Sequence, residues 1–271
     1  MSAARCGSTE VAAHELAPGG PGAPLVVLAH GLEDSWVSWL PLARCMAGWR
    51  LVALDLPWRA GSDYRWRRRP APDWLGRGLD LLDAPAHALV AHSFGAGVAL
   101  ELLCERDPRA GRAAALLCPL YRPPELHLSW RVFDRARRTF NGNILDGLRL
   151  RLGARAASLE PGVLEQMLSR TVDRVGPAGF LAVFDQFAAS AYLPLEKIST
   201  PTMVLAGDAD PTLLEGAVPR LAMSISGATA RMHPDYDHYC HVRRAKELAS
   251  QLTGFIAATL EAAAHPQEVP Q

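Results

Sequence analysis

The stretch that decides the fold is Ala88-Leu89-Val90-Ala91-His92-Ser93-Phe94-Gly95-Ala96-Gly97-Val98-Ala99-Leu100. A short apolar run leads into a serine between small residues, and an apolar segment at helical spacing follows. Strand, sharp turn and helix in that order place Ser93 at the tip of a strained turn, the position of a nucleophile. A serine forced toward positive φ leaves no room for bulk two residues to either side. Ala91 and Gly95 stand there. Serine, glycine and alanine are common, however, and a small-residue turn packed closely on a sheet would read the same way. The remaining sequence decides between the two.

Upstream, Leu25-Val26-Val27-Leu28-Ala29 and Leu51-Val52-Ala53-Leu54 are continuous apolar runs, as expected of strands buried on both faces of a parallel sheet. Val11 to Leu16 reads as an earlier strand, closed by the turn Pro18-Gly19-Gly20-Pro21-Gly22. Helix-like stretches carry Trp36, Leu40, Leu42 and Met46, and then Trp74 to Leu82. Downstream, Ala113 to Leu117, Met203 to Ala206 and Thr229 to Met232 are further strands, and a final amphipathic helix carries Val242, Leu248, Leu252 and Phe255. Strands alternating with helices imply an α/β fold with a doubly wound, mostly parallel sheet. The alternation stops near Tyr121. From 121 to 195 only helical stripes appear: Ile144, Leu148 and Leu152; Leu164, Leu168 and Val172; Phe180, Phe184 and Phe187. The expected organisation is a core of residues 1–120 and 196–271 with a helical cap at 121–195.

The 271 residues allow a sizeable core, and 49% hydrophobic with 21% charged residues is the balance of a globular protein. Twenty-eight basic residues cancel 28 acidic ones, so no net field favours nucleic acid or an anionic membrane. No run approaches a membrane span, and Met1 to His14 lacks an apolar segment of signal-peptide length. The five cysteines are odd in number and scattered, which reads as reduced thiols in a cytoplasmic protein. Neither histidines nor cysteines show metal-ligand spacing, and no cofactor is expected.

A serine hydroxyl needs a histidine as base, and the histidine needs an acid to hold its tautomer. Reading on from Ser93, the chain offers Asp210 just after one strand and His238 after the next. Taken together, His30-Gly31-Leu32, Asp55-Leu56-Pro57, Ala91-His92-Ser93-Phe94-Gly95, Gly207-Asp208-Ala209-Asp210 and Asp237-His238 resemble, in order, the motifs of the α/β-hydrolase family. The resemblance runs over nearly the whole chain. It implies Ser93 as nucleophile, His238 as general base and then acid, Asp210 as the residue orienting it, and the backbone N–H groups of Leu32 and Phe94 as an oxyanion hole. Asp208 is the alternative acid, and His233 and His241 are alternative bases; the family positions favour Asp210 and His238. Two departures stand out: Asp237 replaces the usual glycine before the histidine, and Trp58-Arg59-Ala60-Gly61 follows Leu-Pro where the family often has Gly-His-Gly.

The expectation is a serine esterase or thioesterase acting on an apolar small-molecule acyl substrate. A non-hydrolytic lyase, cyclase or ligand-binding protein on the same fold is the alternative. Trp36, Phe133, Phe184 and Phe187 are the candidate substrate contacts, and a plain core explains the same aromatic stripes. Arg131, Arg135 and Arg138 share a helical face opposite Val132, Phe133, Ala136 and Phe140. A solvated face explains them most simply, and docking of an acyl carrier protein or a nucleotide phosphate is the other reading.

Overall fold

The computed structural model describes residues 4–6 and 9–265. Eight strands form one sheet in the order β1-β2-β4-β3-β5-β6-β7-β8. They are β1 (Ala4–Cys6), β2 (Thr9–Ala17), β3 (Leu25–Ala29), β4 (Arg50–Asp55), β5 (Ala88–His92), β6 (Ala113–Leu117), β7 (Thr202–Gly207) and β8 (Thr229–His233). β1 and β2 pair antiparallel, as do β2 and β4; every other pairing is parallel. The central strands β3, β5 and β6 are buried at every residue, which is why their sequences are unbroken apolar runs rather than alternating ones.

The helices are α1 (Leu40–Ala43), α2 (Ala71–Leu79), α3 (Phe94–Cys104), α4 (Trp130–Leu152), α5 (Arg155–Ser158), α6 (Pro161–Ala189), α7 (Ala217–Met223), α8 (Cys240–Arg243) and α9 (Ala245–Ala264). None among the described residues is long and apolar enough to cross a membrane. The stretch around Trp36 is shorter than its sequence pattern suggests, a 3₁₀ turn at Trp36–Trp39 running into the four-residue α1. Pro41 fits there because it stands in the first turn, where its missing N–H has no helical partner to lose.

Between β6 and β7 the regular secondary structure is all helical, so the fold is a mostly parallel sheet with a helical insertion. The stripes around Leu164 and Phe180 lie on two helical segments within α6, separated at Gly176, whose φ of 56° and ψ of −167° break the helical geometry just before Pro177. Buried Arg122 fastens this insertion to the end of β6. Its backbone N–H donates to Ser190 Oγ (2.9 Å), its Nε to the Ala188 carbonyl (3.0 Å) and its Nη1 to the Leu126 carbonyl (2.8 Å). α4 and α6 then pack through Phe133, whose ring meets those of Phe180 and Phe184 edge-on at 5.0 Å each. Such pairs contribute roughly 0.5–1.5 kcal/mol beyond their burial.

Candidate active site

Ser93 follows the last residue of β5 with φ 53° and ψ −121°. Its N–H donates to the Leu117 carbonyl (2.9 Å), and its own carbonyl accepts from Ala96 and Gly97, opening α3. A serine at this helix-start position commonly caps the helix with its hydroxyl. Here it makes no such cap. The turn holds because Gly95 lies against β3: a Cβ there would collide with the His30 carbonyl oxygen. The His30–Leu32 loop also comes close, since a Cβ on Gly31 would lie 3.1 Å from Ser93 Cβ.

Freed from the backbone, Ser93 Oγ lies 2.8 Å from His238 Nε2, and His238 Nδ1 lies 2.7 Å from Asp210 Oδ2. All three residues are buried. Asp210 sits in the turn after β7, where its N–H donates to the Gly207 carbonyl (3.1 Å). Gly207 has no room for a side chain, because the Tyr236 carbonyl of the His238 loop passes directly over it. Burial opposes the charge on Asp210, but His238 and the Thr212 hydrogen bonds outweigh it and hold the carboxyl below its ordinary range. Burial likewise pulls His238 down, while Asp210, then Asp237 and Asp34, pull harder, so the imidazole ends above its ordinary value of 6.5.

The competing residues lie elsewhere. Asp208 is exposed, with its N–H on the His233 carbonyl (3.0 Å). His233 stacks on Tyr236 and faces Gln251 (3.0 Å). His241 is fully buried beside Trp39 and His92. His30 serves the backbone: Nδ1 donates to the Gly31 carbonyl (2.7 Å), and Nε2 accepts from the Leu56 N–H (3.0 Å). His92 Nε2 donates to the His238 carbonyl at 2.7 Å, holding the loop that carries His238.

Several residues at the site carry no sequence signal of their own. Thr212 donates both its N–H (2.9 Å) and its hydroxyl (2.6 Å) to Asp210 Oδ1, leaving Oδ2 for the imidazole. The Asp-x-Thr spacing of such a side-chain turn is the one hint available. Tyr239 joins the His238 loop to the insertion through a bond to the Asn143 carbonyl (2.9 Å). Asp237 accepts from the Tyr239 N–H (2.9 Å) and is paired with Arg243, which also binds Asp146.

Among the described residues, two groups of buried side chains each bring three ligand-type atoms within 4.8 Å of one another. His92, Cys118 and His238 form the first, but both nitrogens of His238 are engaged by Asp210 and Ser93. Asp34, His92 and His241 form the second, in which Asp34 Oδ2, His92 Nδ1 and both His241 nitrogens have no hydrogen-bond partner among the described residues, and Asp34 Oδ2 lies 3.9 Å from His241 Nε2. Burial holds both histidines neutral, His241 at about 4 and His92 well below 6.5. Asp34 follows β3, His92 ends β5 and His241 lies in α8, and that distance along the chain is why sequence spacing gives no sign of them.

Above Ser93 and His238 opens an apolar cavity of about 250 Å³. Phe180, Phe184 and Phe187 of α6 and Phe140 and Ile144 of α4 line it, with Leu32, Thr212 and Tyr239 nearer the serine. Phe133 stands behind this wall in the aromatic cluster. Trp36 is placed away from the cavity: its ring is stacked on His14 of β2 at 4.3 Å, where the 3₁₀ turn carries it.

The arrangement can be set beside known proteins. The sequence pattern of the alpha/beta hydrolase family matches residues 26–251, most of the chain. The chain belongs to the alpha/beta hydrolase family. Its sheet and insertion superpose on a membrane phospholipase A described as a bacterial virulence factor, at 19% identity and a TM-score of 0.69, covering 95% of this chain and 86% of that one. A putative ancestral haloalkane dehalogenase superposes at 19% identity and 0.64, covering 97% and 100%. An enol-lactonase from Burkholderia xenovorans does so at 20% and 0.61, covering 94% and 100%. At such identities these likenesses speak for the alpha/beta hydrolase fold and not for a substrate. Among curated proteins none matches the chain.

Proposed function

We propose that this alpha/beta hydrolase opens a carboxylic ester or thioester of an apolar small molecule through an acyl-enzyme on Ser93. The observation that carries this reading is the unbroken hydrogen-bonded line Asp210–His238–Ser93 at the base of an apolar cavity. Asp210 accepts the proton on His238 Nδ1, so Nε2 presents its lone pair to the serine hydroxyl. As Ser93 Oγ attacks the acyl carbon, its proton passes to Nε2, and the carbonyl oxygen takes on the negative charge. The N–H groups of Leu32 and Phe94 are the donors for that charge; among the described residues neither has another hydrogen-bond partner. Collapse of the intermediate expels the alcohol or thiol, which takes the proton back from Nε2. Water then attacks the acyl-enzyme by the same path and restores the serine.

In this reading residues 121–195 are a cap whose phenylalanines select the acyl group, while the core does the chemistry. The test is turnover of p-nitrophenyl esters of graded chain length. A burst of p-nitrophenol equal to the enzyme concentration, absent in Ser93→Ala, is the expected result. Undiminished turnover by Ser93→Ala would overturn the assignment.

A further inference from the structure

The cavity wall is largely apolar, and two arginines stand in it. Arg131 and Arg135 lie one turn apart at the start of α4, both exposed and both lining the cavity that contains Ser93 and His238. Among the described residues neither has an acidic partner: Arg135 donates to the Leu213 carbonyl (3.4 Å), and Arg131 makes no hydrogen bond or ion pair. Neighbouring arginines that do not line the cavity have acidic partners. Arg137 and Arg138 share Asp134, and Arg220 is paired with Glu125. The first turn of α4 holds no acidic residue, so its positive end adds to the same field. Two uncompensated guanidinium groups therefore stand over an apolar passage to the serine.

We propose that the cavity takes an ester whose apolar part carries an oxyanion, a carboxylate or a phosphate, held by Arg131 and Arg135 while the ester reaches Ser93. This rests on the reading of Ser93 as the nucleophile. A charge on the substrate fits better than a docked carrier protein, because the two arginines line the cavity and Arg138, the third of the sequence stripe, is bound to Asp134. A guanidinium fork matches either oxyanion.

The test compares kcat/KM for mono-p-nitrophenyl esters of dicarboxylic acids, and for acyl esters bearing a terminal phosphate, with methyl-terminated esters of equal length. The wild type is expected to favour an anionic series about tenfold at the best length, the gain of a charge-assisted hydrogen bond discounted for exposure. Whichever series shows it identifies the anion. Arg131→Gln with Arg135→Gln should bring the ratio close to one, rising salt should erode it, and Arg137→Gln should leave it in place. A ratio of one or less at every length in both series, or one that the paired substitution does not move, overturns the proposal. If no ester of any series is turned over, the hydrolase reading fails instead. Charge preference is then read calorimetrically on Ser93→Ala with octanoate against octanamide: tighter octanoate binding that disappears in the arginine variants supports the site, and equal binding removes it.

Discussion

Asp210 has two carboxylate oxygens, and each has a separate task. Oδ1 takes both hydrogen bonds from Thr212, which fixes the plane in which Oδ2 meets His238. Asp210→Asn is therefore expected to lower kcat by roughly four orders of magnitude, since an amide no longer holds Nδ1 protonated. Asp208→Asn, on an exposed turn, should stay near wild type, and the reverse order in steady-state kinetics would mean that the other carboxylate is the acid. The same charges govern pH dependence. His238 must be neutral to accept the serine proton, and its pKa is raised above 6.5 despite burial. The rate should thus fall as pH drops through a midpoint above 6.5, and Asp237→Asn, which removes one raising charge, should move that midpoint to lower pH. A midpoint below 6.5 in the wild type, or one shifted upward by the substitution, would contradict this electrostatic account.

Elements are held in register at the site by close approaches that glycine alone permits. Gly207→Ala puts a methyl group into the Tyr236 backbone and is expected to cost about 1–3 kcal/mol in denaturant unfolding. Gly162→Ala, near the start of α6 with nothing within 4 Å, should be neutral or slightly stabilising. The strands were legible because burial on both faces writes an unbroken apolar run: β3 and β6 have the bounds that the sequence pattern suggests. The insertion's helices were legible too: the two stripes separated by Gly176-Pro177 are two helical segments, because Gly176 leaves helical geometry where the glycine and proline stand. Phe184→Ala probes the insertion directly. Loss of a contact filling the cavity should change relative kcat/KM across acyl chain lengths by about 1–3 kcal/mol. A uniform loss that tracks a lower Tm would assign Phe184 to the core alone.

Across the whole molecule, the site is assembled at the carboxyl ends of β3, β5, β7 and β8, where loops from distant parts of the sequence converge. Ser93, Asp210 and His238 could be named from the sequence because each follows a recognisable strand in a fixed order. Thr212, Tyr239 and the Asp34–His92–His241 cluster could not, since their partners are set by loop packing rather than by local spacing. Trp36 shows the converse, a large aromatic beside the expected oxyanion loop that the fold turns toward His14. The arginine stripe was visible, but only packing of α4 over the cavity separates Arg131 and Arg135 from Arg138. The measurement that bears most directly on the whole account is covalent labelling by a fluorophosphonate, with the adduct located by mass spectrometry. The tetrahedral phosphonyl group occupies the oxyanion hole as an acyl intermediate would, so one equivalent should attach to Ser93, more slowly as acid protonates His238, and none to folded Ser93→Ala. Folded wild-type protein without an adduct at Ser93 anywhere between about pH 6 and 9, a range in which a working histidine base becomes neutral, would contradict the acyl-enzyme mechanism.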